Sequence, residues 1–133
     1  MSVTIKLHAM SGHSDVEWKL SGMHVSELIS RLGQITNSTS HIPDDFLNRL
    51  SYRGLSITSN QQSELAPYIR VHGGIVEYPP FGYPNYSGHL LDSGNSELEK
   101  WLINTAGELV PFTVKQNIES ELEWLWFSYS QYR

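Results

Sequence analysis

Six histidines, His8, His13, His24, His41, His72 and His89, are the only soft metal ligands in the sequence, because it contains no cysteine. None forms a His-x-x-x-His pair on a helical stretch, and none is followed by a glutamate in metalloprotease order, so metal-ligand spacing is absent. His8 and His13 can approach each other across a turn, with Asp15 as the near carboxylate. Serine chemistry needs a Ser, a His and an acid held at fixed orientations. Ser87-Gly88-His89 with Asp92 places the three types within six residues, a span too short to orient a triad, and Asp92-Ser93-Gly94 reads as turn chemistry. The carboxylates of Glu97/Glu99 and of Glu119/Glu121/Glu123 stand two apart and diverge on a helix, which makes them solvated helix faces. Gly54, Gly73 and Gly74 lie in no phosphate-binding pattern. The sequence predicts no catalytic residue, no metal and no cofactor.

Aromatic residues are the stronger signal. Tyr78, Phe81, Tyr83 and Tyr86 fall in a proline-rich stretch that is stiffened in advance and can present rings at low entropic cost. Trp124 and Trp126 lie two apart near the C-terminus, followed by Phe127, Tyr129 and Tyr132. Rings at 124 and 126 point to different helical faces, so both cannot serve one core and a second apolar surface is implied. Large amphipathic rings dominate the energetic centres of protein interfaces.

The 133 residues suit one domain. Fourteen acids against nine bases give a net charge of −5, which disfavours nucleic acid and anionic lipid as partners. Absence of cysteine removes disulfides, thiolate zinc and a catalytic thiol. The opening residues alternate apolar and polar without an apolar run behind basic residues, so they read as neither a signal peptide nor a membrane span. A soluble cytoplasmic protein is expected.

The elements that must position these residues follow from local patterns. Val3, Ile5 and Leu7, then Val16, Trp18 and Leu20, give two alternating runs joined by a turn-rich segment, an antiparallel hairpin with one apolar face. Val25, Leu28, Ile29 and Leu32 cover that face as a helix over residues 24–32, with Gly33 at the left-handed cap position. Pro43 opens a short helix to about residue 50. A short strand follows at residues 55–58. The Gly73-Gly74 pair between two β-branched and aromatic runs is written as a tight hairpin turn. Prolines and glycines then make residues 79–95 a loop without regular structure. Ser96 with Glu99 forms a capping box for a helix whose inner face is Leu98, Trp101, Leu102, Thr105, Ala106 and Leu109. Pro111 interrupts it, and a second helix runs over about residues 114–128.

The hairpin followed by Met23-His-Val-Ser-Glu-Leu-Ile-Ser-Arg-Leu-Gly33 resembles the strand–strand–helix entry of the ubiquitin-like β-grasp domains, including the small sulfur carriers. Ile42-Pro-Asp-Asp45 and Leu50-Ser-Tyr-Arg-Gly54 are similar to ubiquitin's segment after its main helix, and Arg70-Val-His-Gly-Gly74 to its diglycine tail. The resemblance covers about residues 1–74. It implies a modifier or carrier role in which Gly74 supplies an adenylated carboxylate, while 59 residues follow that position here.

The expected fold is a single α+β domain with a small mixed or antiparallel sheet of four or five strands. Its parts are a β-grasp-like region over residues 1–78, the loop over 79–95 and a helical C-terminal region over 96–133, with helices on one face of the sheet. The first functional expectation is a non-enzymatic protein-binding module, of inhibitor, immunity or adaptor type. It would occlude a larger protein with a basic surface through Tyr78, Phe81, Tyr83, Tyr86, Trp124 and Trp126. A homodimer through the C-terminal aromatics is compatible with it. The alternative is a small-molecule site or enzyme using His72, His89 and Asp92 within tyrosine walls, and the modifier or carrier role is a third.

Overall fold

The computed structural model describes residues 2–8, 14–35, 37–38, 52–59, 65, 67–77, 89–91 and 96–132, with 37–38, 89–91 and 128–132 described by their backbone alone. The two alternating N-terminal runs become β1 (Val3–Leu7) and β2 (Val16–Lys19), paired antiparallel with Ile5 opposite Trp18. Helix α1 (Gly22–Gly33) follows, giving the expected strand–strand–helix opening. Ser21 caps its N-terminus by accepting from the His24 backbone N–H at 3.3 Å. Gly33 does not take the left-handed cap expected of it: it is the last helical residue, and Gln34 ends the helix in a right-handed conformation. Helix α1 buries Val25, Leu28 and Leu32, at i, i+3 and i+7.

Five more strands complete the sheet among the described residues: β3 (Asn37–Ser38), β4 (Leu55–Ser59), β5 (Tyr68–His72), β6 (Ile75–Glu77) and β7 (His89–Leu91). Every pairing is antiparallel, in the order β2-β1-β4-β5-β6-β7-β3. Five strands, from β2 to β6, form the body of the sheet, and the short β7 and β3 extend it. The loop expected over residues 79–95 is therefore corrected at His89–Leu91, which pairs β6 on one side and β3 on the other. The predicted helix near residues 43–50 lies outside the described residues.

The C-terminal part is helical: α2 (Glu97–Asn104), a 3₁₀ turn over Gly107–Leu109, and α3 (Phe112–Tyr132). Leu109, expected on the buried face of one longer helix, is exposed because α2 ends at Asn104. Val3, Ile5 and Leu7 of β1 and Leu55 and Ile57 of β4 belong to one core with Leu28 of α1, Leu102 of α2 and Ile118, Leu122 and Leu125 of α3. Each such fully buried aliphatic side chain contributes roughly 1.5–3 kcal/mol. The helices thus share the apolar face of the sheet. Trp18 ties β2 to the end of α2, its indole N–H donating to Thr105 Oγ1 at 2.8 Å. Arg31 of α1 lies 4.8 Å above the Trp101 ring, and His24 meets the same ring edge-on. No helix among the described residues is long and apolar enough to cross a membrane.

Candidate functional site

Among the described residues, the outer side of α3 is the surface most at odds with ordinary solvation. Its inner stripe is Val114, Ile118, Leu122 and Leu125, buried against the core. At about 100° per residue, Phe112, Thr113, Gln116, Asn117, Ser120, Glu123, Trp124 and Phe127 share an arc of about 140° on the opposite side. All eight are exposed. Phe112 is 71% exposed, Trp124 41% and Phe127 63%, and Glu123 is the single charge among the eight. Trp124 and Phe127 stand at i and i+3, which makes them neighbours on the helix surface. Glu119 sits at the margin of the arc, with Lys115 one turn before it.

Trp126 points elsewhere. Its indole N–H donates to Ser96 Oγ at the start of α2, and its ring packs on the core. Ser96 is held in the left-handed region at φ 60, so its hydroxyl does not cap α2 as the sequence suggests. The capping box is absent for a second reason: the Glu99 side chain turns away from its own helix. Its two carboxylate oxygens accept from the backbone N–H groups of Gly73, at 3.0 Å, and Gly74. Glu99 is fully buried, which corrects its placement on a solvated helix face, whereas Glu97 is exposed. Burial drives its pKa up from 4.5 to about 7 against the pull of the two glycine N–H groups and of Lys100.

Gly73 and Gly74 are the β5–β6 hairpin turn, with φ of 61 and 81. This is the primed geometry that a glycine pair specifies. A Cβ at Gly74 would come within 2.9 Å of the Trp126 ring and 3.0 Å of Ser96 Oγ. The turn, α2 and α3 therefore meet at one buried polar joint, and that joint fixes the angle at which α3 presents its outer arc.

The other face of the sheet is polar. The registers place Glu17, Lys6, Ser56, Arg70, Glu77 and His89 in one row across six strands. Beyond this row lie His8, Gly54 and His72. His8 Nε2 is 3.0 Å from Ser56 Oγ, and His8 Nδ1 is 3.8 Å from Asp15 Oδ2. Asp15 also lies 3.9 Å from the Lys6 ammonium. Burial lowers the His8 pKa, with Arg70 and Lys6 adding to the effect and Asp15 opposing it. His72 Nε2 is 3.1 Å from the Tyr52 carbonyl oxygen, and the two rings meet edge to face. Burial, reinforced by the Arg70 and Arg53 guanidiniums, holds His72 down at about 4. The Tyr52 hydroxyl is buried without a hydrogen-bond partner.

Of the residues singled out in the sequence, Trp124 lies on the outer arc of α3 and Trp126 in the joint. His72 stands on the polar sheet face, and His89 lies in β7, described by its backbone. Tyr78, Phe81, Tyr83, Tyr86 and Asp92 lie outside the described residues, as do His13 and His41. Among the described residues no three metal-ligating side chains converge. Sequence reasoning missed Phe112 as part of the α3 surface, Glu99 as a buried carboxylate and Ser56 beside His8. A period of 3.6 carried through Phe112 would have found the first; the other two depend on partners 25 and more residues away. No family model, no curated protein and no solved structure matches the chain.

Proposed function

We propose that the protein is a binding module that docks the outer arc of α3 onto a larger protein with an apolar pocket and a basic rim. The observation that carries this reading is the exposure of Phe112, Trp124 and Phe127 on one helical face whose single charge is Glu123. An ordinary solvent-facing helix arc is rich in charge, whereas interface centres are depleted of charge and enriched in rings. Glu123 inside the arc and the chain's net charge of −5 favour a basic counter-surface and would steer its approach. Trp124 and Phe127, as neighbours one turn apart, would enter the partner's pocket in the manner of helix-in-groove recognition.

The test places a photo-crosslinking amino acid at position 127 in cells, with position 58 on the polar sheet face as the control. The captured protein is then purified and its association with the wild type and with a Trp124→Ala/Phe127→Ala variant is measured at several salt concentrations. A reading in favour is a single basic partner, an on-rate that falls as salt rises, and at least a 30-fold loss of affinity in the folded double variant. Equal affinity of the two proteins, or capture only of a second copy of this chain, would overturn it.

A further inference from the structure

We infer that Ser56, His8 and Asp15 on the polar face of the sheet form a nucleophilic site that cleaves small carboxylic esters. The inference is independent of α3 and rests on geometry brought together by β1, β2 and β4. His8 follows the last residue of β1, Asp15 precedes the first residue of β2, and Ser56 lies inside β4. The antiparallel registers set these positions side by side: Lys6 opposite both Glu17 and Ser56, and Leu7 opposite both Val16 and Leu55. His8 itself is fixed to the neighbouring strand by two backbone hydrogen bonds, its N–H to the Gly54 carbonyl at 2.9 Å and its carbonyl from the Arg53 N–H at 3.1 Å.

The order of contacts is the one nucleophilic catalysis requires. Ser56 Oγ is 3.0 Å from Nε2 of His8, and Asp15 Oδ2 is 3.8 Å from Nδ1 on the other side of the ring. A carboxylate on that side favours the tautomer with the proton on Nδ1, leaving Nε2 as the acceptor for the serine proton. Burial keeps His8 below its ordinary value of 6.5, so the ring is neutral at pH 7 and able to take that proton. A separation longer than a hydrogen bond between acid and imidazole is common in a site without substrate.

Two cations flank the serine. Lys6 on β1 and Arg70 on β5 stand directly opposite Ser56 in register, one strand spacing away on either side. Arg70 uses one guanidinium nitrogen on the Arg53 carbonyl at 3.3 Å, and its remaining N–H groups can stabilise an oxyanion. In the acylation step Ser56 Oγ bonds to the ester carbonyl carbon while its proton passes to Nε2. The bond to the alcohol oxygen then breaks, and the imidazolium returns the proton to the departing alcohol. Water repeats the sequence on the acyl-serine, releasing the carboxylic acid and regenerating the hydroxyl. Ser56 is only 4% exposed beneath the more accessible His8 and Asp15, which limits the acyl group to a short one.

The test uses the full chain with an alkyl fluorophosphonate and with 4-nitrophenyl acetate. The wild type is expected to gain one phosphonyl adduct, mapped by peptide mass to Ser56, and to hydrolyse the ester with a rate that rises along a limb below pH 6.5. His8→Gln and Asp15→Asn should each slow adduct formation by roughly 100-fold or more. Asp15 acts as a positioning residue, so Asp15→Asn should also move the limb to lower pH, which loss of a purely structural contact would not do. Absence of the adduct from the folded wild type, an adduct on another serine, or an unchanged rate in folded Asp15→Asn would overturn the inference.

Discussion

Replacing Glu99 by Gln tests the buried joint directly, because Glu99 and His72 titrate in opposite senses across the same range. The folded-state pKa of Glu99 is about 7, against 4.5 ordinarily. Folding therefore takes up a proton between those values, and the associated stability is fully present below pH 4.5 and gone above 7. His72 runs the other way: from 6.5 down to about 4 in the folded protein, its contribution is present above pH 6.5 and lost as pH falls towards 4. Each shift corresponds to roughly 3 kcal/mol. From pH 4.5 to 6.5 the two slopes, about 1.4 kcal/mol per unit each, oppose one another. His8, more exposed and also lowered, tilts the curve in the same direction as His72. The glutamine keeps one carbonyl oxygen for two glycine N–H groups, which costs about 1–3 kcal/mol at acid pH. The quantity to measure is the stability difference between wild type and variant, from urea unfolding followed by fluorescence of the four tryptophans. The variant should gain on the wild type by roughly 3 kcal/mol between pH 4.5 and 7.5, a shift in relative midpoint of about 1–3 M urea. A pH-independent difference, or one that grows in the wild type's favour as pH rises, would refute the assignment of the carboxyl.

Gly74→Ala should destabilise by about 3 kcal/mol in urea, since alanine is strained at a φ of 81 and its methyl would press on the Trp126 ring. Tyr52→Phe should raise the thermal midpoint or leave it unchanged, because it removes a buried hydroxyl with no partner; a loss above about 1 kcal/mol would reveal a bond made by that hydroxyl. Trp126→Phe keeps a ring in the joint but loses the bond to Ser96, and a fall of about 1 kcal/mol is expected by the same unfolding assay. Trp124→Ala with Phe127→Ala should change stability by less than about 1 kcal/mol, as surface positions do.

Local signals carried the reading of β1, β2, α1 and the β5–β6 turn. Alternation at Val3, Ile5 and Leu7 reports one buried face, and two adjacent glycines report two positive φ values. Glu99 was illegible for a definite reason. An acid three residues after a serine has the pattern of a capping box, and only the arrival of the Gly73–Gly74 turn from another element shows where the carboxylate goes. Likewise His89–Leu91 looks like loop because its neighbours are proline- and glycine-rich; pairing with β6 and β3 makes it a strand. Ser56 and His8, 48 positions apart, acquire their relation from the β1–β4 register. Periodicity around Trp124 and Trp126 did imply two surfaces, and the structure separates them: one ring in the joint, the other on the outer arc.

Strand order has a consequence for how the chain is made. The first 38 residues supply both outermost strands, β2 at one edge and β3 at the other, with the twelve-residue α1 between them in sequence. Neither β1 nor β3 meets its inner neighbour until much later, β1 at Leu55–Ser59 and β3 at His89–Leu91. During synthesis the N-terminal third is thus a pair of brackets waiting for its contents, with strand hydrogen-bonding groups unmatched for tens of residues. Non-local closure of this kind slows folding and leaves strand edges open to other chains. A fragment that stops short of residue 89 strands β3 without a partner and leaves β6 as an open edge, so proteolysis or premature termination in that region would expose strand hydrogen-bonding groups that β7 otherwise pairs.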